Sequence, residues 1–254
     1  MGMLTVSEIN ELQAVVKKSL NHAEQQWNKT FKKSMLKEAR DIATKIPGHK
    51  YLGEDQYTSD TFVAMMLDMR DSRKHLMEAI SARTARVSQM QRVYYEVSAL
   101  LPCMATLIEK DRDGSVVEYL GDGLLALFKL PEESEPMHDE LREISRISRK
   151  CLEALGEIVN PVLSERYLLP SLSIGIGLAH SQSIITHFGI KSNSQVKVIG
   201  QCVYYASHLS KEYNKIVVHE DLKKLWPTSE GGRLRFRLKA YDKAKGYIME
   251  TSNG

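Results

Sequence analysis

Apolar residues in this chain recur at two periods, helical and strand-like, and the changeovers divide it into elements. From Ser7 to Ile46 the period is helical: Ile9, Leu12, Val15, Val16 and Leu20, then, after a polar gap at His22 to Gln26, Trp27, Phe31, Met35, Ala39, Ile42 and Ile46. This predicts one long helix or a helical hairpin, either packed on the domain behind it or serving as a dimerisation arm, and ended by Pro47-Gly48. A polar connector, Tyr51 to Asp60, leads into Phe62–Arg70 (FVAMMLDMR), an apolar run that predicts a buried strand delivering Asp68 to its C-terminal end. Asp71 or Ser72 can cap the helix that follows. Leu76, Ile80, Val87, Met90, Val93, Tyr94, Val97, Leu100 and Leu101 form a stripe long enough for two helices, with Pro102 as a kink or stop. After a turn at Asp111-Arg112-Asp113-Gly114, Val116–Leu120 and Leu124–Phe128 are short strands joined by Gly121-Asp122-Gly123, the residues a tight hairpin demands.

The second half continues in the same way. Beyond an acidic loop at 131–136, Leu141, Ile144, Ile147, Cys151, Leu152, Leu155, Ile158 and Val159 predict an amphipathic helix closed at or just before Pro161. Ser171–Ala179 alternates Leu172, Ile174, Ile176 and Leu178 with small residues, a strand whose glycines let something approach closely. Strands at 195–199 and 215–219, a helix at 200–210, and two last strands near 234–238 and 247–250, after Gly231-Gly232, complete the order β-α-α-β-β-α-β-β. That order predicts an α+β fold with a ferredoxin-like, palm-type core. The division is a helical extension over 1–50 and one domain over 51–254.

Composition narrows the field. The 254 residues carry a formal net charge of +3, too small for a nucleic-acid or membrane surface. Cys103, Cys151 and Cys202 are odd in number and far apart, which suits buried thiols in a reducing compartment better than a disulfide framework or a zinc site. With no basic-then-apolar leader and no apolar run of membrane-spanning length, the sequence reads as cytoplasmic. The chemistry rests on carboxylates: Asp68 at a strand end and Asp122 at a hairpin tip, brought together by strand pairing, make a compact site for divalent cations. His180 and His187 have no second nitrogen or sulfur ligand near them in sequence to support zinc.

These segments resemble the class III nucleotidyl cyclases, in the right order from about Thr61 onward. Asp68-Met69-Arg70 matches that family's strand-ending Asp-Ile-Arg, while Asp71-Ser72-Arg73 departs from the Gly-Phe-Thr that follows it. Gly121-Asp122-Gly123 is similar to its Gly-Asp hairpin, and Ile174-Gly175-Ile176-Gly177-Leu178-Ala179 to its Ile-Gly-Ile-His-x-Gly strand. Ile199-Gly200-Gln201-Cys202-Val203-Tyr204-Tyr205-Ala206-Ser207-His208-Leu209 resembles Ile-Gly-x-x-Val-Asn-x-Ala-x-Arg-Leu. The resemblance implies a homodimer with sites at its interface, and two Mg2+ or Mn2+ ions per site held by Asp68, Asp122 and the backbone carbonyl of Met69. It also implies cyclisation of a nucleoside triphosphate with release of pyrophosphate, and the start of the helix after Asp68 can offer backbone amides to the phosphates, as any helix start can. Base-reading positions fall at Glu118 and Lys197.

A carboxylate accepts and an ammonium donates, so Glu118 with Lys197 suits an N–H beside a C=O, as in uracil and guanine. The same pair is the wrong way round for adenine and cytosine. Tyr204, where the family has a small Asn, adds bulk that favours the smaller ring and therefore UTP, with GTP next. A short stand-alone chain of this kind resembles the pyrimidine cyclases of bacterial Pycsar antiphage systems, whose cyclic UMP or cyclic CMP triggers a separate effector. The family's transition-state Asn and Arg are Tyr204 and His208 here. Losing an arginine at developing charge costs orders of magnitude in rate unless His208, Arg70, Lys211, Lys239, Lys243 or Lys245 substitutes. A second reading, a degenerate cyclase-homology module that binds nucleotide or only dimerises, follows from the same loss.

Overall fold

The computed structural model describes residues 3–28, 44–52, 57–77, 85–110, 114–131, 137–189, 195–227, 234–242 and 244–251. The second half of the N-terminal helical stretch, the turn at Asp111 to Asp113, most of the acidic loop, Gly231-Gly232 and Lys243 lie outside the described residues. In chain order the elements are α1 (Val6–Asn28), β1 (Tyr57–Met69), α2 (Ser72–Met77), α3 (Gln89–Glu109), β2 (Gly114–Tyr119), β3 (Gly123–Lys129) and α4 (His138–Ala154). A π-helical turn (Leu155–Val159) leads into α5 (Asn160–Tyr167), followed by β4 (Ile174–Phe188), β5 (Gln195–Gly200), α6 (Gln201–Leu209), β6 (Lys215–His219), α7 (Glu220–Leu225), β7 (Leu234–Tyr241) and β8 (Ala244–Thr251).

The described strands form one sheet in the order β2-β3-β1-β4-β6-β8-β7, with β5 on the free part of β4. Within it β2-β3-β1-β4 is the ferredoxin-like arrangement expected from the element order. β1 pairs antiparallel with β3 and β4 on its two sides, so it is central and buried for most of its length. Its pleat sorts side chains between two faces. Val63, Met65, Leu67 and Met69 face the large core beneath α1, α3, α4 and α5. Phe62, Ala64 and Met66 face a smaller second core with Leu125, Leu127, Cys202 and Ala206, and Asp68 continues that series.

Three boundaries differ from the sequence expectations. β1 starts at Tyr57, because the polar stretch before Phe62 pairs with Thr186 to Ser183 of β4. β4 runs to Phe188 where the alternation stops at Ala179, since β1 and β5 supply backbone partners to its mixed distal half. The helix containing Ile158 and Val159 does not close at Pro161 but continues to Tyr167, and Leu168 ends it in a left-handed conformation (φ 56°). The π turn explains this: widening the helix one turn before proline relieves the missing N–H and the ring clash that would break an α-helix. Pro102 likewise lies inside α3 rather than ending it. The short α7 is an element that the apolar pattern does not predict.

α1 packs on the domain through Leu12, Val16 and Leu20, each almost fully buried. Near its start Glu8 meets Lys150 at 2.5 Å. Burial opposes ionisation of Glu8, but hydrogen bonds from Lys150 and Thr5 outweigh it and hold the carboxyl at about 2. The three cysteines are buried free thiols, and burial pushes that of Cys103 up to about 12. No described helix is long and apolar enough to cross a membrane.

The site side of the fold depends on Gly175 and Gly177. α6 lies so close to β4 that a Cβ on Gly177 would collide with the Ala206 carbonyl oxygen, and one on Gly175 with that of Ser210. The close approach expected from these glycines is therefore that of α6. Gly177→Ala is expected to push α6 off the sheet and lower unfolding free energy by about 2 kcal/mol, measured by urea denaturation, whereas Gly156→Ala, at a helical position with open space around it, is expected not to lower it.

Candidate active site

Asp68 sits at the end of β1 between two glycines, opposite Gly123 of β3 and Gly175 of β4. Both neighbours lack side chains on that face, so the carboxylate stands in a backbone-walled recess. Gly121 adopts φ +80°, which closes the hairpin, and the Met69 N–H donates to the Asp122 carbonyl at 3.2 Å. Strand pairing thus brings Asp68 and Asp122 together. Burial, and then the charge of Asp122, raise the Asp68 pKa above the ordinary carboxylate range, against the opposing pull of Arg70 and Lys211.

Arg70 leaves the strand and turns back. Its Nη1 donates to Asp68 Oδ2 at 2.5 Å and approaches the Ser210 carbonyl at 3.4 Å, and its guanidinium carbon lies 5.7 Å from the centre of the Tyr213 ring. Tyr213 in turn donates to Asp71 Oδ2 at 2.8 Å. Asp71 has φ +59°, a left-handed conformation that sharpens the turn. The helix beyond, α2, is only six residues long and has no buried residue. His75 holds it to α3 by a 2.9 Å contact with the fully buried Glu96, which also accepts from Arg92 at 2.8 Å.

The two base-reading candidates meet. Lys197 Nζ donates to Glu118 Oε1 at 2.5 Å, although one is on β2 and the other on β5. A β-bulge between Val116 and Glu118 makes this possible. Val116 pairs with Ala126, on the large-core face, and regular alternation would return Glu118 to that face. The extra residue, Val117, pairs Glu118 with Leu125 instead and re-aims it to the second face. There Val196 and Val198 of β5 pack against the second core and bring Lys197 within reach. Tyr204 and His208 share the outer side of α6, with ring centres 4.4 Å apart in an edge-to-face contact. Tyr204 is exposed, and its neighbour Tyr205 stacks at 4.2 Å on the buried His219. Of the other cations, Lys239 is paired with Glu212 at 2.6 Å and Lys245 lies opposite Ala240 on the outer strands.

No known family model and no curated protein matches the sequence. Solved structures do match the fold. The guanylyl cyclase Cya2 superposes with a TM-score of 0.57 at 17% identity, over 76% of this chain and 92% of its own. The adenylyl cyclase CyaB from P. aeruginosa gives 0.59 at 15% identity, over 78% and 97%. The fold is that of the class III nucleotidyl cyclases. The guanylate cyclase domain of RhGC from Catenaria anguillulae, solved with GTP, also superposes, with a TM-score of 0.51 at 14% identity over 77% of this chain and all of that one.

On this cyclase fold, Asp68, Asp122, Glu118, Lys197, Tyr204 and His208 belong to the second sheet face or its rim, away from the large core beneath the helices. Two features escape the sequence reading. Tyr213 follows α6 with no periodic signal, and the bulge is marked only by the adjacent valines Val116 and Val117, which break the alternation before Glu118. Among the described residues no cluster of three or more His, Cys, Asp or Glu forms a metal cage. Two carboxylates suit instead an ion that keeps water and substrate oxygens in its shell, as Mg2+ does.

The raised pKa of Asp68 has a stability consequence. A carboxyl whose folded pKa lies above its unfolded value contributes stability that is complete below the unfolded pKa and is lost as pH rises through the folded one. Asp122→Asn removes one cause of the shift. In chelator-treated buffer it is expected to raise the thermal midpoint near neutral pH by about 2 °C, a gain that disappears once the pH falls below the carboxylate range.

Proposed function

We propose that this chain is a nucleotidyl cyclase that converts UTP to 3',5'-cyclic UMP and pyrophosphate, acting as a homodimer. The observation that carries the reading is the apposition of Asp68 and Asp122 across the β1–β3 pair, close enough for one charge to raise the pKa of the other. Two carboxylates repel in one recess even with Arg70 paired to Asp68, and such a pair suits an added divalent cation. When bound, two Mg2+ or Mn2+ ions lower the pKa of the ribose 3'-hydroxyl and neutralise the leaving pyrophosphate. Asp68, Asp122 and the Met69 carbonyl are the groups that would hold them.

Glu118 and Lys197 read the base. In the chain they satisfy each other at 2.5 Å while remaining about one-third exposed, and a pair that accessible is worth only about 0–1 kcal/mol. A base edge carrying N–H beside C=O replaces that contact with two hydrogen bonds, Glu118 accepting and Lys197 donating. Uracil and guanine both offer this edge, and the bulk of Tyr204 favours the smaller ring. The outward placement of Tyr204 and His208 suits residues that complete the site of a second subunit. The resemblance to Pycsar cyclases extends the proposal to a cyclic-nucleotide signal in antiphage defence, read by a separate effector.

One observation favours the module that binds nucleotide without turnover: Tyr204 and His208 engage each other where the family has Asn and Arg. Incubation with Mn2+ and each ribonucleoside triphosphate, with products identified by mass, separates the two. Cyclic UMP is the expected principal product, and Asp68→Ala and Asp122→Ala are each expected to lower kcat by about 10³-fold or more. A folded protein that yields no product from any nucleotide sinks the cyclase reading.

Reversing the hydrogen-bonding pair gives an independent check. E118K/K197E is expected to shift the kcat/KM ratio of UTP to CTP toward CTP by at least about tenfold, roughly 1.4 kcal/mol of discrimination. An unchanged ratio would remove the pair from base recognition.

A further inference from the structure

The cation on Asp68 is Arg70, and its setting assigns it more than charge balance. Its Nη1 contacts Asp68 and approaches the Ser210 carbonyl, and its face lies against Tyr213. Tyr213 is itself fixed by its hydrogen bond to Asp71 in the strained turn. Only one of these contacts is to the carboxylate. The Nε–H is buried and has no hydrogen-bond partner among the described residues, an unusual condition for a guanidinium nitrogen. The fork therefore carries a spare donor in the recess that holds Asp68.

We infer that Arg70 and a divalent ion would compete for the Asp68 carboxylate, and that Arg70, displaced, serves the nucleotide's phosphates in place of the arginine missing at His208. The inference rests on the cyclase reading and adds a residue and an order of events to it. A guanidinium stays charged at every working pH and offers five donors in a planar fork, which matches phosphate oxygens in a way that an imidazole does not. Displacement from Asp68 leaves the Ser210 carbonyl and the Tyr213 face as its seat. Lys211, the next residue along, adds a second positive charge felt at Asp68. Arg70 is thus expected to weaken the metal affinity of the free protein while raising the rate of the loaded one.

Those opposite signs make the test. Mn2+ binding to the nucleotide-free protein is followed by the electron paramagnetic resonance of the free aquo ion, and steady-state kinetics are measured on the same samples, for wild type, Arg70→Gln, Arg70→Lys and Tyr213→Phe. Arg70→Gln is expected to bind Mn2+ about fivefold more tightly, the size of a part-exposed ion pair, and to lose about 10²-fold or more in kcat with little change in KM. Arg70→Lys keeps the charge but not the fork, so metal affinity stays near wild type while kcat falls. Tyr213→Phe loosens the seat and is expected to lower kcat by less, with Mn2+ binding unchanged. Equal or weaker Mn2+ binding by Arg70→Gln, with the variant folded by circular dichroism, overturns the competition, and an unchanged kcat overturns the phosphate role. Inactive wild type would sink the cyclase reading and the phosphate role with it, while the Mn2+ titration would still decide the competition.

Discussion

The contact on which the site side of this molecule depends is the one between α6 and β4, where a helix lies directly on strand backbone because Gly175 and Gly177 carry no Cβ. That approach fixes several things at once. It brings the Ser210 carbonyl beside Arg70, and Arg70 beside Asp68. It sets Cys202 and Ala206 into the second core with Phe62, Ala64 and Met66, so that α6 and β5 cover this face. It also turns Tyr204 away from the sheet. A helix held farther off by ordinary side chains would leave Asp68 facing an open groove.

The two faces of the sheet are built from different materials. The helical face is a large apolar core, closed at its outer edge by α1 and the Glu8–Lys150 pair. The other face is thin and polar at its margins. Its ion pairs include Asp68–Arg70 and Glu118–Lys197, both within reach of solvent. The larger core lies on one side and the candidate site on the other, and β1 belongs to both, sending Leu67 and Met69 one way and Asp68 the other.

Much of this was legible in the sequence. The apolar run ending on Asp68, the Gly-Asp-Gly hairpin, the glycines of β4 and the amphipathic α4 each follow from a local rule, and their order is enough for the ferredoxin-like core. What the pattern missed depends on partners distant in sequence. The ends of β1 and β4 are polar stretches made into strand by each other, and nothing in Tyr57 to Asp60 announces that Thr186 will pair with it. Pro161 reads as a stop because the π turn that accommodates it has no composition of its own. The meeting of Glu118 with Lys197 requires both a bulge and an arm folded across a face, and neither leaves a periodic trace.

The bulge has a meaning beyond geometry. Glu118 points where it does because β2 holds one more residue than β3 opposite it. The meeting of Glu118 with Lys197 is therefore governed by a backbone count as well as by side-chain identity. Over evolutionary time a one-residue deletion near Val117 would return Glu118 to the interior and part it from Lys197 without altering either residue. The contact can thus be lost by insertion and deletion, invisibly to a comparison that tracks only which amino acids occupy the two positions.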